Sequence, residues 1–245
     1  MAEEKESEAK GTGNKEGIAG TDEDLLVPLM DDTYGYLTNA VHTGLSKKTA
    51  DMMPFIYRVR YDGLCLFDVS KIDARLRVAA KFIARYDPGD VLVVSNRVYG
   101  KAPAEKFSEY TECMAVKGRF VSGTLTNPNI KSYCEPKLLI VTDPSADYQV
   151  IREAVKAGIP IVAICDSNTR LKNIDLTIPG NAKGKNSLAL IYWILTREVL
   201  RIKSENGEKF NFDAHLRDFI SRAEPKPYIA RMHEIQRLTQ RNRKR

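Results

Sequence analysis

Three short runs constrain this chain more than anything else in it: Val91-Leu92-Val93-Val94, Leu138-Leu139-Ile140-Val141 and Ile159-Pro160-Ile161-Val162-Ala163-Ile164. A strand with one face in water alternates apolar and polar residues, and these runs do not alternate. They read as strands covered on both faces, as in a parallel sheet flanked by helices. Helical spacing fills the gaps between them. It runs over 71–86 through Ile72, Leu76, Ala79, Ala80 and Ile83, and over roughly 103–115. It returns over 146–157 through Val150, Ile151, Ala154 and Val155, with Gly158 after the end, and over 186–202 through Leu188, Ile191, Leu195 and Val199. Alternating strands and helices with short links require right-handed crossovers. The expected fold is therefore α/β, a three-layer α/β/α arrangement with a mostly parallel, doubly wound sheet of about five strands. At 245 residues and 43% hydrophobic content, one domain with extensions is expected.

The extensions differ in charge. Residues 1–33 hold ten acidic residues against three lysines, a net of −7, which leaves +13 for the remainder of a chain whose total is +6. From Arg222 onward there are eight Lys or Arg residues against Glu224 and Glu234. The reading is an acidic, largely disordered arm over 1–32, an α/β domain over 33–205 and a basic extension over 206–245. Leu25 to Met30 is a candidate docking segment, and Asp31 or Asp32 a candidate cap for a short helix through Tyr36, Leu37 and Ala40. The tail from Tyr228, with Met232, Ile235 and Leu238 on one stripe, suits an amphipathic helix. A basic surface concentrates phosphates, so the charge points toward a polyanion.

Cys65, Cys113, Cys134 and Cys165 show no Cys-x-x-Cys spacing and no neighbouring His, which argues for reduced thiols and no metal site. No run approaches the ~18–20 apolar residues of a membrane span, and the amino terminus has no apolar stretch of signal-peptide length. The expected compartment is the cytoplasm.

In open parallel sheets ligands sit beyond the carboxyl ends of the strands. The loops there carry Asp68, Asp143 and Asp166. An enzyme would use such carboxylates for metal or acid-base chemistry, but no His, Glu or Lys accompanies them in a spacing that divides catalytic roles. The favoured reading is that each caps a turn or helix. Pro179-Gly180-Asn181-Ala182-Lys183-Gly184-Lys185-Asn186-Ser187 imitates a phosphate loop, yet Pro179 and Asn186 replace its first glycine and its hydroxyl. Nucleotide hydrolysis is not expected, although Lys183, Lys185 and the following helix start suit a phosphate contact. No Gly-x-Gly-x-x-Gly follows a strand, and His42, His215 and His233 fall in no catalytic motif. Between Ala115 and Pro128, glycines and hydroxyls suit a backbone that meets a partner closely, with Lys117 and Arg119 as phosphate donors.

Several segments, taken in order, resemble the ribosomal protein S2 family in its archaeal form, over about residues 28–205. They are His42-Thr43-Gly44, Phe67 through Asp73, Gly118 through Asn127, Asp143-Pro144, Ile159-Pro160-Ile161 and Pro179-Gly180-Asn181. The bacterial branch inserts a coiled coil after its Gly-x-Leu-Thr-Asn segment, whereas only residues 128–135 intervene here. The long acidic C-terminal extension of eukaryotic relatives has a basic tail in its place. The resemblance implies a flavodoxin-like sheet, no enzymatic activity, no cofactor and no small-molecule substrate. It also implies a structural place in the small (30S) subunit, bound to 16S ribosomal RNA and neighbouring ribosomal proteins. Motif position and charge together nominate His42, Lys47, Lys48, Arg97, Lys117, Arg119, Thr126, Asn127, Lys183, Lys185, Arg237, Arg241, Arg243, Lys244 and Arg245 as rRNA contacts. Two other classes stay open on the residues alone: an α/β enzyme acting on a phosphorylated small molecule, and a protein-protein adaptor.

Overall fold

A computed structural model describes residues 34–116, 119–205 and 212–223. The acidic arm with its docking segment and candidate cap, Lys117, and the amphipathic tail with Arg237 to Arg245 lie outside them.

Five parallel strands form the central sheet: β3 (Val91–Val94), β4 (Met114–Ala115), β5 (Leu138–Val141), β6 (Ile161–Cys165) and β7 (Leu176–Pro179). β1 (Ile56–Val59) and β2 (Cys65–Phe67) pair antiparallel in a separate hairpin. The spatial order of the sheet is β4-β3-β5-β6-β7, the flavodoxin-like order. Every residue of β3, β5 and β6 is buried, as the unbroken apolar runs demand.

The helices are α1 (Tyr34–Thr38), α2 (Val69–Ile83), α3 (Val98–Thr111), α4 (Tyr148–Ala157), α5 (Lys185–Glu205) and α6 (Leu216–Phe219). The connection from β3 to β4 and that from β5 to β6 run in opposite directions across the sheet, so right-handed crossovers place α3 and α4 on opposite faces. α5 packs against both α2 and α3. Its long buried stripe, including Leu188, Ile191, Leu195 and Val199, closes the core on that side. Residues 212–223 add to it: Phe212 and Phe219 meet the Tyr110 ring, and the Trp193 Nε1 donates to Ala214 O at 2.9 Å. All four cysteines are unpaired, and Cys65, Cys113 and Cys165 are buried.

One boundary differs from the sequence expectation. The segment 103–115 was expected to be a single helix, but α3 begins at Val98 and carries Pro103 inside, and Met114–Ala115 are the edge strand β4. Proline lacks an N–H, so a helix is normally read as starting near it rather than passing through it. At the other end Glu112 turns left-handed, at φ 58°, and Ser108 hydroxyl caps Cys113 O, which stops the helix where the apolar spacing alone would continue it.

Candidate nucleic-acid interface

The carboxyl edge of the sheet gathers the nominated loops. The switch point of this strand order lies between β3 and β5, where doubly wound folds normally leave a ligand crevice. Here the chain fills it with its own groups. Arg97 places Nε 2.6 Å and Nη2 2.5 Å from Asp143 Oδ2, and Asp143 is 1% exposed. Asp143 Oδ1 also accepts the Ser145 N–H at 2.9 Å, and buried Asp147 accepts the Asn96 N–H at 2.9 Å. α3 presses against the same point: a Cβ at Gly100 would sit 2.3 Å from Ser95 Oγ and 2.8 Å from Thr142 Cγ2. The backbone N–H groups of Asn96, Asp143 and Ser145 are thus already taken by carboxylates of the chain itself.

The phosphate-loop imitation is closed in the same way. Asn181 Oδ1 accepts the backbone N–H groups of Lys183 at 3.0 Å and Gly184 at 2.9 Å, the amides such a loop would offer a nucleotide. The Asn181 side-chain amide donates to Ala40 O at 3.2 Å, which ties the loop to the segment leading into His42. Asp166 accepts the Ser167 N–H at 2.7 Å and lies 3.8 Å from Lys183 Nζ. Burial nevertheless pushes its carboxyl above the usual range. The Ser167 hydroxyl accepts the Leu45 N–H and lies 2.9 Å from Lys47 O, so the loop bearing Lys47 and Lys48 is fixed against the end of β6. Lys47, Lys48 and Lys185 are exposed. His42 is half-buried, with Nε2 3.5 Å from the Thr43 hydroxyl.

A second group sits on the loop after β4. Arg119, Thr126 and Asn127 are exposed, while Phe120 and Leu125 anchor the loop in the core. Buried Glu153 of α4 organises it. Its Oε1 accepts the Gly123 N–H at 2.9 Å, the Gln149 amide at 2.8 Å and the Ser122 hydroxyl at 3.2 Å, and its Oε2 accepts the Leu125 N–H at 3.4 Å. Burial alone would raise this carboxyl, but those donors outweigh it and hold it below the ordinary glutamate range. Sequence reasoning passed over Glu153, although its place three residues after Val150 and one before Ala154 puts a charge on a buried stripe, and that was a signal.

Asp68 does what a helix cap does: its Oδ1 accepts the Ser70 N–H at 3.1 Å at the start of α2. Replacing it with alanine is expected to cost about 1 kcal/mol in urea unfolding, the usual worth of such a cap; a loss near zero would refute the assignment. No group of three His, Cys, Asp or Glu side chains among the described residues could hold a metal ion. No helix among them is long and apolar enough to cross a membrane.

The sequence matches the family described as "Ribosomal protein S2" over residues 36–135 and 129–201. It is also 53% identical over 180 residues to "Small ribosomal subunit protein uS2" of Korarchaeum cryptofilum (strain OPF8), covering 74% of this chain and 81% of that protein. The chain belongs to the ribosomal protein S2 family. This agrees with the resemblance read from the motifs, and the α/β fold with five parallel strands is the one it implied. A ribosomal protein of the S2 family is a structural component and not an enzyme. The matched span takes in both groups of exposed basic and polar residues described above.

Proposed function

We infer that this chain is a structural constituent of the small ribosomal subunit in the cytoplasm, where it binds 16S rRNA and neighbouring ribosomal proteins. The observation that carries the reading is its extended identity to a protein named for that subunit. The site geometry supports it: the places where an α/β enzyme would take a ligand are filled by Arg97, Asp143, Asp147 and Asn181, while Lys47, Lys48, Arg119 and Lys185 face outward. In this reading the domain over 33–205 supplies a rigid scaffold between the acidic arm and the basic extension. Exposed cations take phosphates, and Thr126, Asn127 and His42 add orientation. Arg97 and Lys183 reach phosphate only beside their own carboxylate partners. Lys117 and the arginines and lysine from Arg237 to Arg245 supply further cations for the same partner.

Phosphate contacts release counterions, so binding weakens steeply with salt. In sucrose gradients of a cell lysate the chain is expected to sediment with small subunits at low salt and to be stripped by high salt. Its remaining at the top of the gradient at low salt would overturn the reading.

A further inference from the structure

The hairpin strand β1 continues into a turn as Ile56-Tyr57-Arg58-Val59-Arg60-Tyr61, and almost all of it faces water. Tyr57 is 72% exposed and Tyr61 97%, which leaves two large rings with little to pack on. Such surface usually marks a partner site. The residues on either side of the rings are cationic. Arg60 lies with its guanidinium carbon 5.8 Å from the centre of the Tyr61 ring, and its ion pair among the described residues is the exposed one with Asp62, at 3.6 Å. Arg58 makes no ion pair among the described residues.

Two grooves of about 450 and 470 Å³ open along this strand. The first is lined by Leu37, Tyr57 and Val69 and the second by Arg60 and Tyr61, and His42 and Arg58 line both. A register shift between Ile56 and Arg58 breaks the strict alternation of the strand, and Tyr57 and Arg58 share the first groove. His42 Nδ1 is buried there and meets no hydrogen-bond partner among the described residues.

We propose that Tyr57, Arg58, Arg60 and Tyr61, with His42 beneath them, form a binding surface for unpaired RNA nucleotides. The two rings stack on bases, and the two guanidinium groups hold the phosphates between. At ~3.3 Å per extended residue the Tyr57 and Tyr61 backbones are separated by at most roughly 13 Å. Aromatic platforms interleaved with cations are the chemistry that takes single strands. The strand is the wrong edge for adding another protein's strand, because it is short and bulged and carries Arg58, with Arg60 just past its end. The proposal rests on the rRNA-binding reading above and adds to it a surface on the hairpin.

The test uses the full chain, purified 16S rRNA and a labelled, unstructured U-rich oligoribonucleotide. Y57L/Y61L keeps the bulk and removes the stacking faces. It is expected to raise the Kd for both RNAs about 30-fold or more without changing the salt slope. R58Q/R60Q is expected to flatten that slope by roughly 0.7 for each lost contact, and Y57F/Y61F to bind like the unaltered chain. All four side chains are exposed, so the unfolding temperature should hold in each variant. If Y57L/Y61L and R58Q/R60Q bind 16S rRNA as tightly as the unaltered chain, the hairpin is not an RNA surface and the family reading stands. If those variants keep RNA affinity but drop a protein neighbour from assembled subunits, the face is a protein dock and the proposal falls. If the unaltered chain neither binds 16S rRNA nor enters subunits, the broader reading is what has failed.

Discussion

Replacing Glu153 with alanine is expected to lower folding stability by about 3 kcal/mol and to free the segment from Phe120 to Asn127 from α4. The carboxylate accepts two backbone N–H groups, of Gly123 and Leu125, together with the Ser122 hydroxyl and the Gln149 amide. Hydrogen bonds to a charged acceptor are worth roughly 1.5–3 kcal/mol each, and they overlap at one carboxylate, so the sum is well short of additive. Alanine also leaves the Leu125 N–H buried beside an apolar methyl. Glu153→Gln keeps one acceptor oxygen and should lose about half as much. The sign of the pH dependence follows from the direction of the shift. A carboxyl held below its ordinary value stabilises the fold above its unfolded-state pKa, and that contribution disappears as pH falls through the folded one. Urea titrations of the full chain at neutral pH should therefore separate wild type from Glu153→Ala, and the gap should shrink below about pH 4. Equal stabilities at pH 7 would refute the role. Because Thr126 and Asn127 ride on this loop, the same substitution should also weaken 16S rRNA binding.

Glu153 also shows where sequence reasoning runs short. β3, β5 and β6 were legible because burial on both faces leaves an unbroken apolar run, a purely local signature. Asp68 and the sequence from Pro179 to Ser187 were legible as a cap and as a failed phosphate loop, since both depend on residues within a few positions. The function of the chain came from a string of short segments recognised together, which periodicity alone would not have supplied. What was not legible depends on partners far apart in the chain. Arg97 reads as a free cation beside a strand end, yet Asp143 takes its guanidinium across 46 residues. Lys183 lies 3.8 Å from buried Asp166. The loop at Gly123 is held by a side chain 30 residues later. α3 was misjudged for a local reason of the opposite kind: a proline that the helix tolerates masked its first turn, and the left-handed Glu112 ended it early. The exposure of Tyr57 and Tyr61 was not legible either, because it is set by where the hairpin sits relative to the sheet.

Asp147 should give this chain a stability that declines as pH rises toward neutrality, and Asp147→Asn should remove that slope. The side chain is fully buried at the switch point, and its pKa is pushed up to about 7. Burial is the largest cause. The N–H groups of Asn96 and Asp143 and the nearby Arg97 pull the other way, while the carboxylate of Asp143 adds to the rise. One guanidinium serves two buried carboxyls here, and Asp143 takes it directly. Keeping Asp147 protonated leaves the cluster with one negative charge for one positive. An acid whose pKa is raised on folding is better accommodated neutral, so its stabilising effect is complete below the unfolded value near 4. It is then lost progressively as pH climbs through about 7. At about 1.4 kcal/mol per unit, a shift of about three units amounts to roughly 4 kcal/mol between those limits. Asparagine keeps an oxygen for the Asn96 N–H at the Oδ1 position and carries no titrating proton, at the expense of the longer 3.4 Å contact from the Asp143 N–H. The variant should thus be the weaker protein near pH 4.5 and gain steadily on wild type up to pH 8, where the two cross or come close. Parallel stability profiles over that interval would mean that Asp147 enters the fold ionised, and that the Arg97 charge is shared between both carboxylates.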